Sequence, residues 1–550
     1  MPRRRRAPRP RDRGAERRAP SGPKALLVAL VLLHGAPAAA FPGQAPRLGG
    51  AEAQGAATRA LTAVHHNPAM LAALPGTRFH GAFDSGIDHR WIRRHQVGES
   101  GAPTDALGDR TTLVNPTMGY FAAASVNLEP FAIGAAVYDL GSAFLLDSAS
   151  TLRYHLAPEP DRPAGLCTRE DSPACRRNGG AAAIRTDFTL AIAWDLFDRL
   201  KLGLGIHFPR LRSRFAYDNS TVIAGSHIAE AAVRCNYVEN PSCDERLGFR
   251  GHTRWLPSTA TRPSGFDLAL TLGIALDVSD RVTIGARYRT RPLLRGGELT
   301  LAGDAIVCRP EERDIAATDV PNCTVATPID ATLTERLPRE VAIGAAFVLG
   351  PSRLFHIDTN LYWIDLCADT LDGAKGVQTC TDPGNQRLSL VGLDRNSVLL
   401  PETVRYRGLQ DRFGLDVYTT YRARSTLGLV AGAHTSSPAV SPSAYSAASA
   451  DGWRIGLTLG SALRIRQSNF QLVPGYGVDL TVPARVRPGE AAFDPTAGAA
   501  YDQLASDINS PAAATILEGR ARPSNAGAYG GVVHTFTLAL RWSERGIGVE

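Results

Sequence analysis

Beyond residue 40 the sequence lacks any run approaching the roughly 18 consecutive apolar residues of a membrane-crossing helix. An exported chain without one is either soluble or a β-barrel. It also lacks a Gly-x-Ser-x-Gly elbow, a phosphate-cradling loop and a zinc-binding helix motif. None of its cysteines stands in a Cys-x-x-Cys pair, and histidines at ligand spacing beside them are missing. No metal site, cofactor or enzymatic activity is therefore expected.

What is present begins with export. The formal net charge of +7 owes much to the first 24 residues, which contain "PRRRRAPRPRDRGAERR". A basic block of this kind can read as a nucleic-acid arm. Here "ALLVALVLLHGAPAAA" (residues 25–40) follows it directly. A basic start, a short apolar stretch and an Ala-x-Ala end make a secretory signal, so residues 1–40 are expected to be removed after Ala40. No nucleic-acid partner is expected.

From about residue 77 the sequence alternates with period two. In "TDFTLAIAWDL", Phe188, Leu190, Ile192 and Trp194 share one face, while Asp187, Thr189 and Ala191 share the other. "GFDLALTLGIAL" aligns Phe266, Leu268, Leu270, Leu272, Ile274 and Leu276. "FHIDTNLYW" sets Phe355, Ile357, Leu361 and Trp363 against His356, Asp358, Asn360 and Tyr362, and "VHTFTLALRW" aligns Phe536, Leu538, Leu540 and Trp542. Segments of about ten residues with this alternation are the mark of an outer-membrane barrel.

The connections separate membrane barrel from soluble sandwich. Short ones fall at residues 127–130, 197–200, 278–281, 350–353, 422–425 and 466–469. Long ones run near 93–115, 141–183, 217–263, 293–337, 365–410, 436–451 and 485–530. Strict alternation of short periplasmic turns and long outer loops is the barrel rule. The expected fold is all-β: a transmembrane antiparallel β-barrel of about fourteen strands over residues 77–542, with a tail at 543–550.

The eight cysteines come in four neighbouring couples: Cys167 and Cys175, Cys235 and Cys243, Cys308 and Cys323, Cys367 and Cys380. Each couple falls in one long loop. Sequence does not fix connectivity, but an exported chain meets an oxidising compartment, and four loop-local disulfides are the plain expectation. They would restrain long loops and resist proteases.

Residues 41–76 enter from the periplasmic side and can fold into the lumen as a plug. Within "LTAVHHNPAMLAALPG" (residues 61–76), Asn67 can cap a helical turn that has Pro68 at its first position. A small-residue stretch, an Asn67-Pro68-Ala69 motif and then about fourteen strands resemble the long-chain fatty acid outer-membrane transporter family of FadL/TodX type. The resemblance covers roughly residues 41–542, with Met70 where that family often has Gly. It implies an N-terminal hatch built around Asn67, Pro68 and Ala69, and passive inward movement of hydrophobic compounds, long-chain fatty acids first. It also implies an outer-membrane location. The expected partners are the hydrophobic ligand, outer-membrane lipid and the barrel-assembly machinery, with the chain a monomer. The alternatives are a diffusion porin, which needs an open polar lumen, and a surface structural or adhesion barrel.

Two arginine rows remain. In "RVTIGARYRTR", Arg287, Arg289 and Arg291 point into the lumen, where they can meet a carboxylate or phosphate. Otherwise they pair with luminal acids such as Asp267 or Asp358. In "HFPRLRSRF", Arg210, Arg212 and Arg214 share the parity of lipid-facing residues. Either Pro209 marks a bulge that turns them inward, or they sit above the apolar band and meet lipid phosphates. His65 and His66 read as plain polar residues of the plug rather than metal ligands.

Overall fold

The computed structural model describes residues 50–51, 54–97, 103–139, 142–143, 182–197, 199–220, 244–252, 268–293, 298–308, 329–350, 354–366, 386–390, 403–405, 410–440, 451–465, 468–487 and 527–544. Among these, the alternating segments form β1 (Thr77–Val97), β2 (Pro103–Asn127), β3 (Phe131–Asp139), β4 (Ser142–Ala143), β5 (Ala182–Asp195), β6 (Leu200–Ser220), β7 (Asp244–His252), β8 (Ala269–Ser279), β9 (Val282–Arg289) and β10 (Glu298–Cys308). They continue as β11 (Ile329–Arg336), β12 (Arg339–Leu349), β13 (Phe355–Asp365), β14 (Gln386–Leu390), β15 (Thr403–Arg405), β16 (Arg412–Arg424), β17 (Leu427–Ser436), β18 (Arg454–Arg464), β19 (Phe470–Val486) and β20 (Gly527–Ser543).

Every pairing is antiparallel. The circuit β1, β2, β3, β5, β6, β8, β9, β12, β13, β16, β17, β18, β19, β20 returns to β1. This is a closed barrel of fourteen strands, and closure leaves the ladder without an edge. The remaining short strands carry the wall upward. β7 pairs with the upper half of β6 and then with β10, β10 with β11, β11 with β14, and β14 with β15.

All six short turns fall where the sequence places them. The long connections differ from expectation, because strands invade them. β1 has 21 residues, β2 25 and β6 21, and β10, β11, β14 and β15 lie within stretches read as loops. Hydrophobic alternation reports an apolar outer face, not the presence of a ladder. Above the apolar belt the ladder continues while the pattern fades.

The two faces obey the alternation. On the outside, Ile192, Leu272, Ile343, Leu361, Leu457 and Phe536 are about half exposed. The inward positions of the same strands hold small or polar residues such as Ala191, Ala275, Asn360 and Thr458. So many large apolar side chains facing outward would be an association hazard in water but suit lipid. Aromatic pairs mark the lower rim, with Phe131 stacked on Trp194 (5.9 Å) and Phe355 on Tyr421 (4.8 Å), as girdles do at a membrane surface.

Pro209 makes no bulge: Asp187 faces Pro209 and Thr186 faces Arg210 in unbroken register. On its other side the ladder to β8 ends at His207 and that to β7 begins at Arg212. A residue without an N–H costs least in that interval. Arg210 thus keeps the parity of outward-facing Ile206 and Phe208; the side chains of Arg212 and Arg214 lie outside the described residues.

Candidate functional site

Residues 54–76 lie inside the ring, almost all of them buried. They form a single helical turn, Ala63–His66, and a 3₁₀ turn, Pro68–Ala73. The wall makes room for them with inward-facing glycines. A Cβ on Gly203 would stand 2.1 Å from Ala69 N, on Gly273 2.0 Å from Asn67 Oδ1, and on Gly285 2.0 Å from Ala56 O. On Gly134 it would stand 2.9 Å from the Leu71 side chain, and on Gly475 2.4 Å from Ala51, just ahead of that stretch. These glycines come from β3, β6, β8, β9 and β19, so the segment runs around the inner wall.

Asn67 is the bracket of this segment. It is fully buried. Its Oδ1 accepts from Ala69 N at 3.2 Å, capping the 3₁₀ turn that starts at Pro68. Its Nδ2 donates to Ala56 O at 2.5 Å and to Ile274 O of β8 at 3.0 Å. One side chain therefore ties two stretches of the plug to each other and to the wall. Ala69, the third motif residue, places its backbone against Gly203.

Further ties surround it. Ala56 N donates to Asn360 Oδ1 (3.1 Å), and Arg59 donates to Asp277 and Thr283 (3.0 Å each). Asn127 Nδ2 donates to the carbonyls of Ala72 (3.1 Å) and Leu74 (3.0 Å). Val64, Met70, Leu71 and Leu74 are fully buried in a cluster with Phe121, Ala132 and Ala193 of the wall.

Above Asn67 a polar chain crosses from plug to wall. His65 Nδ1 meets the Tyr138 hydroxyl at 2.8 Å. That hydroxyl meets Thr189 Oγ1 at 2.9 Å, Thr189 meets His207 Nδ1 at 2.8 Å, and His207 Nε2 meets Thr271 Oγ1 at 2.7 Å. Burial above all, then His66, Arg289 and Arg287, holds the His65 imidazole well below its ordinary pKa; burial and Arg287 do the same for His66. Both rings are therefore neutral, so His65 can make its hydrogen bond without the cost of a buried charge.

The luminal arginine row sits against this chain. Arg287 donates to the His65 carbonyl (3.3 Å) and to Glu340 (3.1 Å). Arg289 pairs with Asp187, and Arg291 with Asp365 (3.1 Å), which Arg339 also contacts. The acids that face the row are thus Glu340, Asp187 and Asp365. Asp358 instead lies at the end of a 3.5 Å contact from Thr58, and Asp267 lies outside the described residues.

Cys308 closes β10; its side chain and Cys167, Cys175, Cys235, Cys243, Cys323, Cys367 and Cys380 lie outside the described residues. Sequence reasoning did not single out Tyr138, His207, Thr271, Arg59 or Glu340. The available signal was parity, since each strand-borne one occupies an inward position of its strand.

No protein-family model matches the chain, and no curated protein does. Solved structures do. A Pseudomonas aeruginosa FadL homologue superposes with a TM-score of 0.56 at 12% identity, over 92% of this chain and 100% of that one. The deltaS2 mutant of the TodX monoaromatic hydrocarbon channel gives 0.53 at 10% identity, over 91% and 98%. The Ralstonia pickettii toluene transporter TbuX gives 0.50 at 13% identity, over 90% and 96%. At such identities the likeness establishes the fold: a FadL-type barrel.

Proposed function

We propose that this barrel takes hydrophobic compounds up across the outer membrane of a Gram-negative bacterium, passively and past a plug that rearranges. The observation that carries the reading is the seating of residues 54–76 on inward glycines, with Asn67 hydrogen-bonded to both plug and wall. A diffusion pore has no use for a wall stripped of side chains along the path of its own N-terminal segment. The fold supports the same reading, because the superposing structures include a monoaromatic hydrocarbon channel and a toluene transporter.

Within that reading, residues 1–40 direct export and are cut off, and the assembly machinery inserts the chain as a monomer. Long-chain fatty acids are the first ligand to test. Arg287 holds both the plug carbonyl of His65 and Glu340, so an entering carboxylate can compete with Glu340 and loosen that link. Arg289 and Arg291 extend the same row.

The deciding experiment is uptake by cells lacking other such channels, with oleate and toluene offered separately, beside single-channel recording of the purified barrel. The reading requires uptake of at least one compound and a near-silent channel at rest. An open, ohmic pore without hydrophobic uptake would establish a porin instead. For the arginine row, an Arg287→Gln, Arg289→Gln, Arg291→Gln variant should fold and take up oleate more slowly, with toluene uptake unchanged.

A further inference from the structure

The outer face of the β19–β20–β1–β2 wall changes character with height. Phe83, Ile87, Met118, Phe536 and Leu538 form an exposed apolar belt. Above it His89 stands opposite Val114 and Val532, and above that Trp91 stands opposite Thr112 and Gly530. The next row up is different in kind. Arg93 faces Arg110 on one side and Ala528 on the other, and Ala528 faces Arg485. All three arginines are exposed. With strands about 4.8 Å apart, they span roughly 14 Å along one row.

Arg485 reaches this row only through an irregularity. Leu480 pairs with Val532 and Arg485 with Ala528, so five steps on β19 match four on β20. The extra residue lies between Thr481 and Ala484. Without it, strict alternation would aim Arg485 into the lumen; a bulge re-aims a side chain in this way.

Like charges set directly across a ladder repel, and neither Arg93 nor Arg110 makes an ion pair among the described residues. Arg93 Nε donates to Gly108 O at 3.1 Å, and the Arg110 guanidinium lies 5.1 Å from the centre of the Trp91 ring. Trp91 itself lies over Gly530, where a Cβ would come within 2.6 Å of the ring. Beneath these residues a cavity of about 330 Å³ is lined by His89, Trp91, Arg110, Thr112, Leu480 and His534.

We infer that Arg93, Arg110 and Arg485, with Trp91 as floor, bind the phosphate of a glycolipid headgroup in the outer leaflet. The row lies at the end of the barrel opposite the short turns, above the apolar belt and the His89 and Trp91 rows, which is the side of those headgroups. Guanidinium matches phosphate geometrically and electrostatically, and an aromatic ring beside it suits the membrane interface. The inference rests on the barrel lying in the membrane with its short turns inward, not on uptake of any ligand, so a barrel that transports nothing would still show it.

The test uses the full chain in detergent, observed by native mass spectrometry and titrated with bisphosphorylated lipid A, the same lipid stripped of phosphate, and inorganic phosphate as competitor. One lipid A should be retained by the wild type and the stripped lipid should not. In the Arg93→Gln, Arg110→Gln, Arg485→Gln variant, affinity should fall about a hundredfold, at roughly fivefold for each arginine neutralised. If that variant fails to show the heat-modifiable mobility of a folded barrel, Arg485→Gln alone should still weaken binding about fivefold. Equal binding by the variant, equal binding of the stripped lipid, or displacement by millimolar inorganic phosphate would each overturn the inference, the last by showing a free-anion site.

Discussion

Gly273 and Asn67 form one unit, because the wall residue has no side chain where the plug residue has its amide. Gly273→Ala puts a methyl carbon on the Asn67 oxygen, 2.0 Å away before relaxation. Overpacking of this kind costs about 1–3 kcal/mol, enough to shift a docked-to-undocked ratio by roughly five- to 150-fold. The expected result is a folded, heat-modifiable barrel with raised conductance. Gly81→Ala is the control, since its nearest neighbour would be the Phe79 ring at 3.5 Å. The plug histidines add a pH dependence with a definite sign. Docked, both are held neutral by burial and neighbouring cations; undocked, they titrate near pH 6.5. Below that value protonation favours the undocked plug, by about 1.4 kcal/mol per histidine per pH unit until the docked pKa is reached. Docking is therefore complete above about pH 6.5 and weakens as pH falls. Conductance should rise between pH 7 and pH 5, and a His65→Gln, His66→Gln variant should respond less.

At the scale of elements, the six short turns and the strands with an apolar outer face were legible, because an apolar outside and a small or polar inside impose period two on every residue between them. Asn67-Pro68 was legible for another reason: a cap followed by a residue without an N–H is a local signature that needs no tertiary partner. The partners of Arg287, Arg289 and Arg291 were not, since Glu340, Asp187 and Asp365 lie far away in sequence and only the strand register brings them across. Strands β7, β10, β11, β14 and β15 were hidden because they are short and carry too little large-apolar alternation to read. One of them frames a remaining expectation. Cys308 ends β10 and β11 begins at Ile329, so Cys323 sits in the link between paired strands. Non-reduced peptide mapping should find Cys308 joined to Cys323, with Cys167–Cys175, Cys235–Cys243 and Cys367–Cys380 as the other bridges. Bridges between different links would refute the assignment.

The whole molecule is two structures that share a lumen. The barrel is held by ladders that close on themselves from β1 to β20. The plug is held by a handful of side-chain hydrogen bonds, the apolar cluster around Leu71, and the glycines that admit it. Nothing in the first set depends on the second, so the two should separate experimentally. Deleting residues 41–60 takes away the packing of Ala56 on Gly285, its hydrogen bond to Asn360 and the Arg59–Asp277 pair. Adding Asn67→Gly and Pro68→Gly removes the bracket and the preset turn. This variant should keep the heat-resistant mobility of the wild type in detergent gels, because every strand is intact. In planar bilayers its conductance should climb from near silence to that of an open pore. A variant that stays closed would move the gate to the outer loops. A wild type that already conducts freely would mean that the docked segment does not seal the lumen, and the porin reading would then replace the transporter.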